Sequence, residues 1–249
     1  MQQLGLARTL PAETLCEWRS LWRQPGFSIP TLLFPLMFYI VFGVLLPFAS
    51  TPEAKATVLV HWTVFGVIGP GLFAFGVGLA NDREEGWLRL KQVSPVPVLV
   101  MLIARVAVAA CFALMIVSLL FTVAALFTDV RFERAEWLSL AMIAVAGVLP
   151  SCAIGFAFGA YLGTRAAVAV VNVFYLGSAM LSGLWFPLQA FPGFMQKLAW
   201  ALPPFHLAEL ARHGAGLGTA ANWPLSLAVL LSVTIIALAL AIPGLRRGE

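Results

Sequence analysis

Between Arg23 and Glu53 the chain carries no Asp, Glu, Lys or Arg, and this pattern repeats along its length. Further apolar runs cover Ala56–Asn81, Val98–Thr128 (with Arg105 near its start), Trp137–Thr164, a stretch opening at Ala166, and Trp223–Leu245. Each is long enough for the roughly 20 residues that cross a bilayer as a helix. Soluble packing cannot absorb six such runs. The chain is 61% hydrophobic and 10% charged, where a soluble domain carries about 25% charge. The reading is an all-α membrane protein, one domain over residues 1–249, with six transmembrane helices. The first span lies near Phe27–Phe48 and is followed by others, so it reads as a retained span rather than a cleavable signal peptide.

The formal charge of +4 and the pI near 9.3 have a topological cause. No Lys/Arg block of the kind that tracks phosphates is present, so nucleic acid is not an expected partner. Six spans put both ends of the chain on one side. The basic residues on that side are Arg8, Arg19, Arg23, Arg83, Arg89, Lys91, Arg105, Arg165, Arg246 and Arg247. The other side holds Lys55, Arg131, Arg134, Lys197 and Arg212. Positive residues favour the cytoplasmic side, so both termini are expected there. Arg105 is shallow enough to snorkel to the inner interface.

Three local patterns stand out. Residues 11–24 place Leu15, Trp18, Leu21 and Trp22 on one helical face and Glu13, Glu17, Ser20 and Gln24 opposite. This predicts an interfacial amphipathic helix with Pro11 in its first turn and Pro25-Gly26 as its stop, anchored by Trp18, Arg19, Trp22 and Arg23 among the membrane lipids. Gly155, Gly159 and Gly163 recur every four residues and predict a smooth ridge for close helix packing. Pro70-Gly71 is expected to bend the second span. The stretch 182–218 is apolar but broken by Pro187, Pro192, Pro203 and Pro204. It predicts short helices dipping into or lying on the outer leaflet, a re-entrant segment over about 186–212.

No catalytic constellation is present. The lysines Lys55, Lys91 and Lys197 follow Ala54, Leu90 and Gln196, so no Gly-Lys phosphate loop exists. HExxH, GxSxG and paired carboxylates are also missing. Cys16, Cys111 and Cys152 are scattered, and His61, His206 and His213 form no i, i+4 pair, so no metal site is expected. His206 and His213 are placed in a loop. Asn172 is expected to make a helix–helix hydrogen bond.

What remains is one dense charged segment, NDREEGWLRLKQVSPVP at residues 81–97. A membrane body without an engine needs a place where one attaches. DREEGWLRL (Asp82–Leu90), followed by VSPVP (Val93–Pro97), resembles the cytoplasmic signature of type-2 ABC exporter permeases. There an acid-Arg-Glu triplet precedes Gly, Thr or Trp, Leu, and a small-residue-Pro step. LSGLWFP (Leu181–Pro187) and PPFHL (Pro203–Leu207) resemble the outer re-entrant region of that family. The Gly-Trp-Leu form is similar to a multidrug- or lipid-type subgroup, while Arg89 stands where many members have an acid.

The resemblance implies a half-transporter in a bacterial inner membrane, with no cofactor of its own. Two copies of a separate ATP-binding cassette subunit would hold ATP and Mg. A second permease chain, identical or paralogous, would complete the pathway. Residues 82–92 become a coupling helix, with Asp82, Arg83, Glu84, Gly86, Trp87, Leu88, Arg89 and Leu90 at the ATPase. Leu88 and Leu90 would seat in an apolar cleft, and Arg83, Glu84 and Arg89 would set register by charge pairing. Phe186, Pro187, Phe191 and Pro192 are the expected outer gate. The spans are poor in polar groups, which points to an amphiphilic cargo. A glycan-exporting permease, a membrane-embedded transferase and a non-transporting sensor or scaffold are the rival readings.

Overall fold

The computed structural model describes residues 6–46, 51–87, 97–218 and 222–246. Among them there are ten α-helices and no strand. In chain order they are α1 (Leu6–Trp22), α2 (Pro25–Tyr39), α3 (Pro52–Glu84), α4 (Val98–Phe127), α5 (Arg134–Ala146), α6 (Val148–Tyr161), α7 (Thr164–Leu181), α8 (Gly193–Ala199), α9 (Pro203–Gly214) and α10 (Trp223–Arg246). A π-helical segment, Ile40–Leu45, continues α2, and a 3₁₀ turn, Leu188–Ala190, precedes α8. Six helices are long and apolar enough to cross a membrane: α2 with its π segment, α3, α4, α5 joined to α6, α7 and α10.

Local chemistry sets the ends. Pro25 opens α2 at a position whose N–H has no intrahelical partner anyway. The Thr51 hydroxyl accepts a 3.2 Å hydrogen bond from the Ala54 N–H and caps α3, with Pro52 and Glu53 in the first turn. Glu133 and Glu136 form a reciprocal capping box on α5. Helix α1 begins one turn before the expected start, at Leu6, so Pro11 sits inside it. Only one turn of helix precedes Pro11, so little hydrogen bonding is lost there.

Helix α3 is the pillar of the bundle. Its 33 residues span about 50 Å at 1.5 Å per residue, well beyond the roughly 30 Å apolar layer of a bilayer. The helix runs unbroken through Pro70. Leu59, Val60, Val64, Phe65, Val67 and Leu72 are fully buried. Its tightest neighbour is α6. A Cβ added at Gly71 would stand 2.9 Å from the Cys152 amide nitrogen, and one at Gly155 would stand 2.8 Å from the Leu72 carbonyl. A Cβ at Gly159 would collide with the Phe75 carbonyl. Backbone thus lies on backbone, which only glycine permits. Gly163 lies outside α6, as the residue preceding α7.

The molecule has two distinct ends. At one end lie α1, the last turn of α3, and the close of α10, where the Tyr161 hydroxyl donates to the Leu240 carbonyl at 2.7 Å. The first and last helices therefore share an end. At the opposite end α9 packs on α10, α5 and α3. His206 is not in a loop. It is buried within α9, with Nε2 2.8 Å from the Trp200 carbonyl and Nδ1 3.2 Å from Ser226 Oγ. His213 also lies on α9, stacked on Trp223. A Cβ at Gly147, the joint between α5 and α6, would meet the Leu207 side chain, so α9 fills the notch left at that joint.

Candidate functional site

Three consecutive residues at the end of α3 reach three different helices. At 100° per residue, neighbouring side chains fan outward. Asp82 Oδ2 accepts a 2.6 Å bond from the Arg105 guanidinium on α4. Arg83 donates to the Gly159 carbonyl at 2.9 Å, placing a cation at the C-terminal turn of α6. The Glu84 carboxylate accepts from the Thr164 N–H at 2.9 Å, placing an anion at the N-terminus of α7. Two of the side chains assigned to charge pairing with another subunit, Arg83 and Glu84, are thus engaged inside the chain.

Arg105 also donates to both carboxylate oxygens of Glu17 on α1, at 3.1 and 3.3 Å. A longer bond reaches the Ala74 carbonyl at 3.4 Å, and the guanidinium stands 6.0 Å from the Phe75 ring centre. Arg105 does not snorkel to water: only 10% of its side chain is exposed, and 8% of that of Glu17. Two carboxylates offset the cost of burying the cation where reaching solvent would have been the alternative.

The same bond corrects the orientation of α1. Glu17 faces inward with Leu21, while Leu15 and Trp22 keep much of their surface exposed. Trp18 and Trp22 stack on each other, and both lie on Phe112 of α4, at 5.2 and 6.1 Å between ring centres. Arg19 and Arg23 are exposed. An acid on the polar face of an amphipathic helix reads as water-facing from sequence. Its partner, 88 positions away, reverses that.

Gly86 ends α3 with φ +76°. A side chain there would cost roughly 1–2 kcal/mol in the left-handed conformation. The chain then turns to Trp87, which is 52% exposed. Leu88, Arg89 and Leu90, with the rest of the expected coupling segment to residue 92, lie outside the described residues.

Beside the triad opens a cavity of about 670 Å³. Each wall is one face of a helix: Phe27, Thr31 and Phe34 on α2, Gly69, Phe73 and Val77 on α3, and Val168, Asn172 and Tyr175 on α7. Glu17, Asp82 and Arg105 line one end with Ser20, Gln24 and Asn81. Away from the triad the walls are aromatic. Tyr175 stacks on Phe65 at 4.6 Å and donates to the Phe65 carbonyl at 3.1 Å. Asn172 does not bridge helices. Its amide donates to Val168 within α7, at 2.8 Å.

None of Phe186, Pro187, Phe191 and Pro192 lines this cavity. Phe186, Pro187 and Pro192 are exposed and Phe191 is half-buried, flanking the turn before α8. A cluster of packed aromatic rings comprises Phe38, Trp62, Phe65 and Trp185, with ring centres 5.1 to 5.9 Å apart. Only Trp185 belongs to the stretch singled out in sequence. Among the described residues, no group of three His, Cys, Asp or Glu side chains could hold a metal ion.

This arrangement of six apolar helices, with an acid-Arg-Glu triplet closing the second, agrees with comparison to known proteins. Residues 14–215 match the model of the ABC-2 type transporter family. The chain belongs to that family. A curated relative, "Putative transport permease YvfS" of Bacillus subtilis (strain 168), is 25% identical over 213 residues, covering 83% of this chain and 86% of that protein. The matched region contains α1 from Thr14 onward, the triad, the cavity walls and α9. In this ABC-2 chain the charged motif therefore has an internal duty, fixing α3 to its neighbours, in addition to whatever it does at the surface.

Proposed function

We propose that this ABC-2 chain is the permease subunit of an ATP-driven exporter that moves an amphiphilic or lipid-like cargo. ATP and Mg are handled by a separate ATP-binding cassette subunit, present in two copies, with a second permease chain alongside. The α1 end faces the cytoplasm of a bacterial inner membrane, in keeping with the ten-to-five distribution of basic residues. Residues 181–214 lie at the outer end and include the re-entrant segment.

The observation that carries the reading is the last turn of α3. Asp82, Arg83 and Glu84 grip α4, α6 and α7, and the chain then breaks at Gly86 to present an exposed Trp87. A load applied at Trp87 by an attached ATPase reaches three membrane helices through hydrogen bonds of 2.6 to 2.9 Å. Residues 82–90 thus form the coupling element, with Trp87, Leu88 and Leu90 as apolar anchors in the ATPase groove.

Trp87 tests this without disturbing the fold. Loss of a central interface tryptophan costs about 2 kcal/mol, or roughly 30-fold in Kd. Trp87→Ala is expected to insert normally but to lose most of the ATP-binding subunit that copurifies with the wild-type chain. Retention of that subunit at wild-type levels, or its absence from wild-type preparations, would refute the assignment.

A further inference from the structure

We infer that the cavity bounded by α1, α2, α3 and α7 binds an uncharged amphiphile, with an aromatic body against Phe34, Phe73 and Tyr175 and a hydroxyl or amide head between Gln24, Asn81 and Asn172. The inference deepens the exporter reading and rests on it for the direction of transport, but not for binding. A volume of about 670 Å³ suits a drug-sized molecule.

The head-group site is drawn from separate elements. Gln24 lies in the link between α1 and α2, Asn81 near the end of α3, and Asn172 on α7. Among the described residues, the Gln24 and Asn81 side chains have no hydrogen-bond partner, and Asn172 spends only one of its two amide hydrogens, on Val168. Carboxamides both donate and accept, so three of them can satisfy an alcohol or amide from either side. A site built this way rejects a ligand that lacks the matching group, because its own polar atoms are then left unpaired.

The charges point the same way. The charged side chains lining the cavity are Glu17, Asp82 and Arg105, and they are bonded to one another. An anionic head would meet two carboxylates and find the guanidinium already committed to both. A cationic head would compete with Arg105 for carboxylates that it holds at 2.6 and 3.1 Å. A neutral head leaves the triad intact.

Three pyrene amphiphiles differing only in the head separate these cases: pyrenebutanol, pyrenebutyrate and pyrenylbutyl-trimethylammonium. The full chain is placed in nanodiscs of phosphatidylcholine, and saturable energy transfer from tryptophan to pyrene is measured. Gly69→Leu, which fills the cavity beside Tyr175, defines partition into lipid alone. The alcohol is expected to saturate, and both charged forms to bind about tenfold or more weakly. Asn81→Leu combined with Asn172→Leu should weaken the alcohol by a similar factor. Gln24→Leu repeats the test without altering a membrane helix. Equal or tighter binding of either charged form, unchanged binding by both polar variants, or no saturable binding by the wild type would each overturn the inference. The assay contains no ATPase, so its failure is distinct from failure of the Trp87 test.

Discussion

Arg105 shows how much one buried cation can demand of its surroundings. It ties α1 to the end of α3 through two carboxylates. Removing one member of such a group leaves the others charged and unpaired, which costs about 3–5 kcal/mol. Arg105→Met is therefore expected to lower the unfolding midpoint in detergent sharply. Glu17→Gln should do so less, because Asp82 still faces the guanidinium. Thermal unfolding followed by tryptophan fluorescence ranks the two, and midpoints equal to that of the wild type would show that the triad contributes nothing to stability. The sequence displays all three residues but not their meeting. Glu17 and Arg105 are 88 positions apart, and each has an adequate local explanation, one as the wet face of an amphipathic helix and the other as an interfacial cation. Long-range pairing overrides both.

Among the elements, the contact between α3 and α6 is the least tolerant. Gly155 and Gly159 lie against the backbone of residues 71–76. Gly159→Val must push the two helices apart, and overpacking of this kind costs about 1–3 kcal/mol or more. Gly177 on α7 has nothing within 4 Å of an added Cβ, so Gly177→Ala serves as the control. Size-exclusion profiles after heating are expected to separate the two, with aggregation of the first and wild-type behaviour of the second. The four-residue glycine period is legible in sequence because helix geometry puts such residues on one face. Its partner surface on α3 is not, since α3 is glycine-rich over a wide arc. Span positions were readable to within a few residues because charges bracket them. The segment after α7 was readable only as broken. Proline reports where a helix cannot continue, and the burial of α9 against α5 and α10 depends on side chains far along the chain.

For the molecule as a whole, the two ends carry different chemistry. The triad, the α3 motif and the close of α10 lie at one end, and α8, α9 and the Lys55–Asp129 ion pair lie at the other. Cysteines introduced singly at Phe194 and Glu85, in a background without Cys16, Cys111 and Cys152, distinguish the faces. Both positions are exposed. A membrane-impermeant maleimide is expected to label position 194 in intact cells and to reach position 85 only after lysis. The reverse pattern would invert the orientation proposed above and move the coupling segment to the wrong side for an ATP-binding subunit.

The buried triad also constrains how the chain is made. Synthesis proceeds from the N-terminus, so α1 leaves the ribosome long before Arg105 exists. During that interval the guanidinium of Arg105 is missing, and α1 rests on the membrane surface. Arg105 in turn enters with an apolar helix that tolerates a lone cation poorly. Asp82, 23 positions earlier, is the first carboxylate it can meet, and the α3–α4 hairpin is therefore the natural first product of assembly. Helix α1 docks onto that hairpin afterwards, so a segment translated before the hairpin reaches its final place after it.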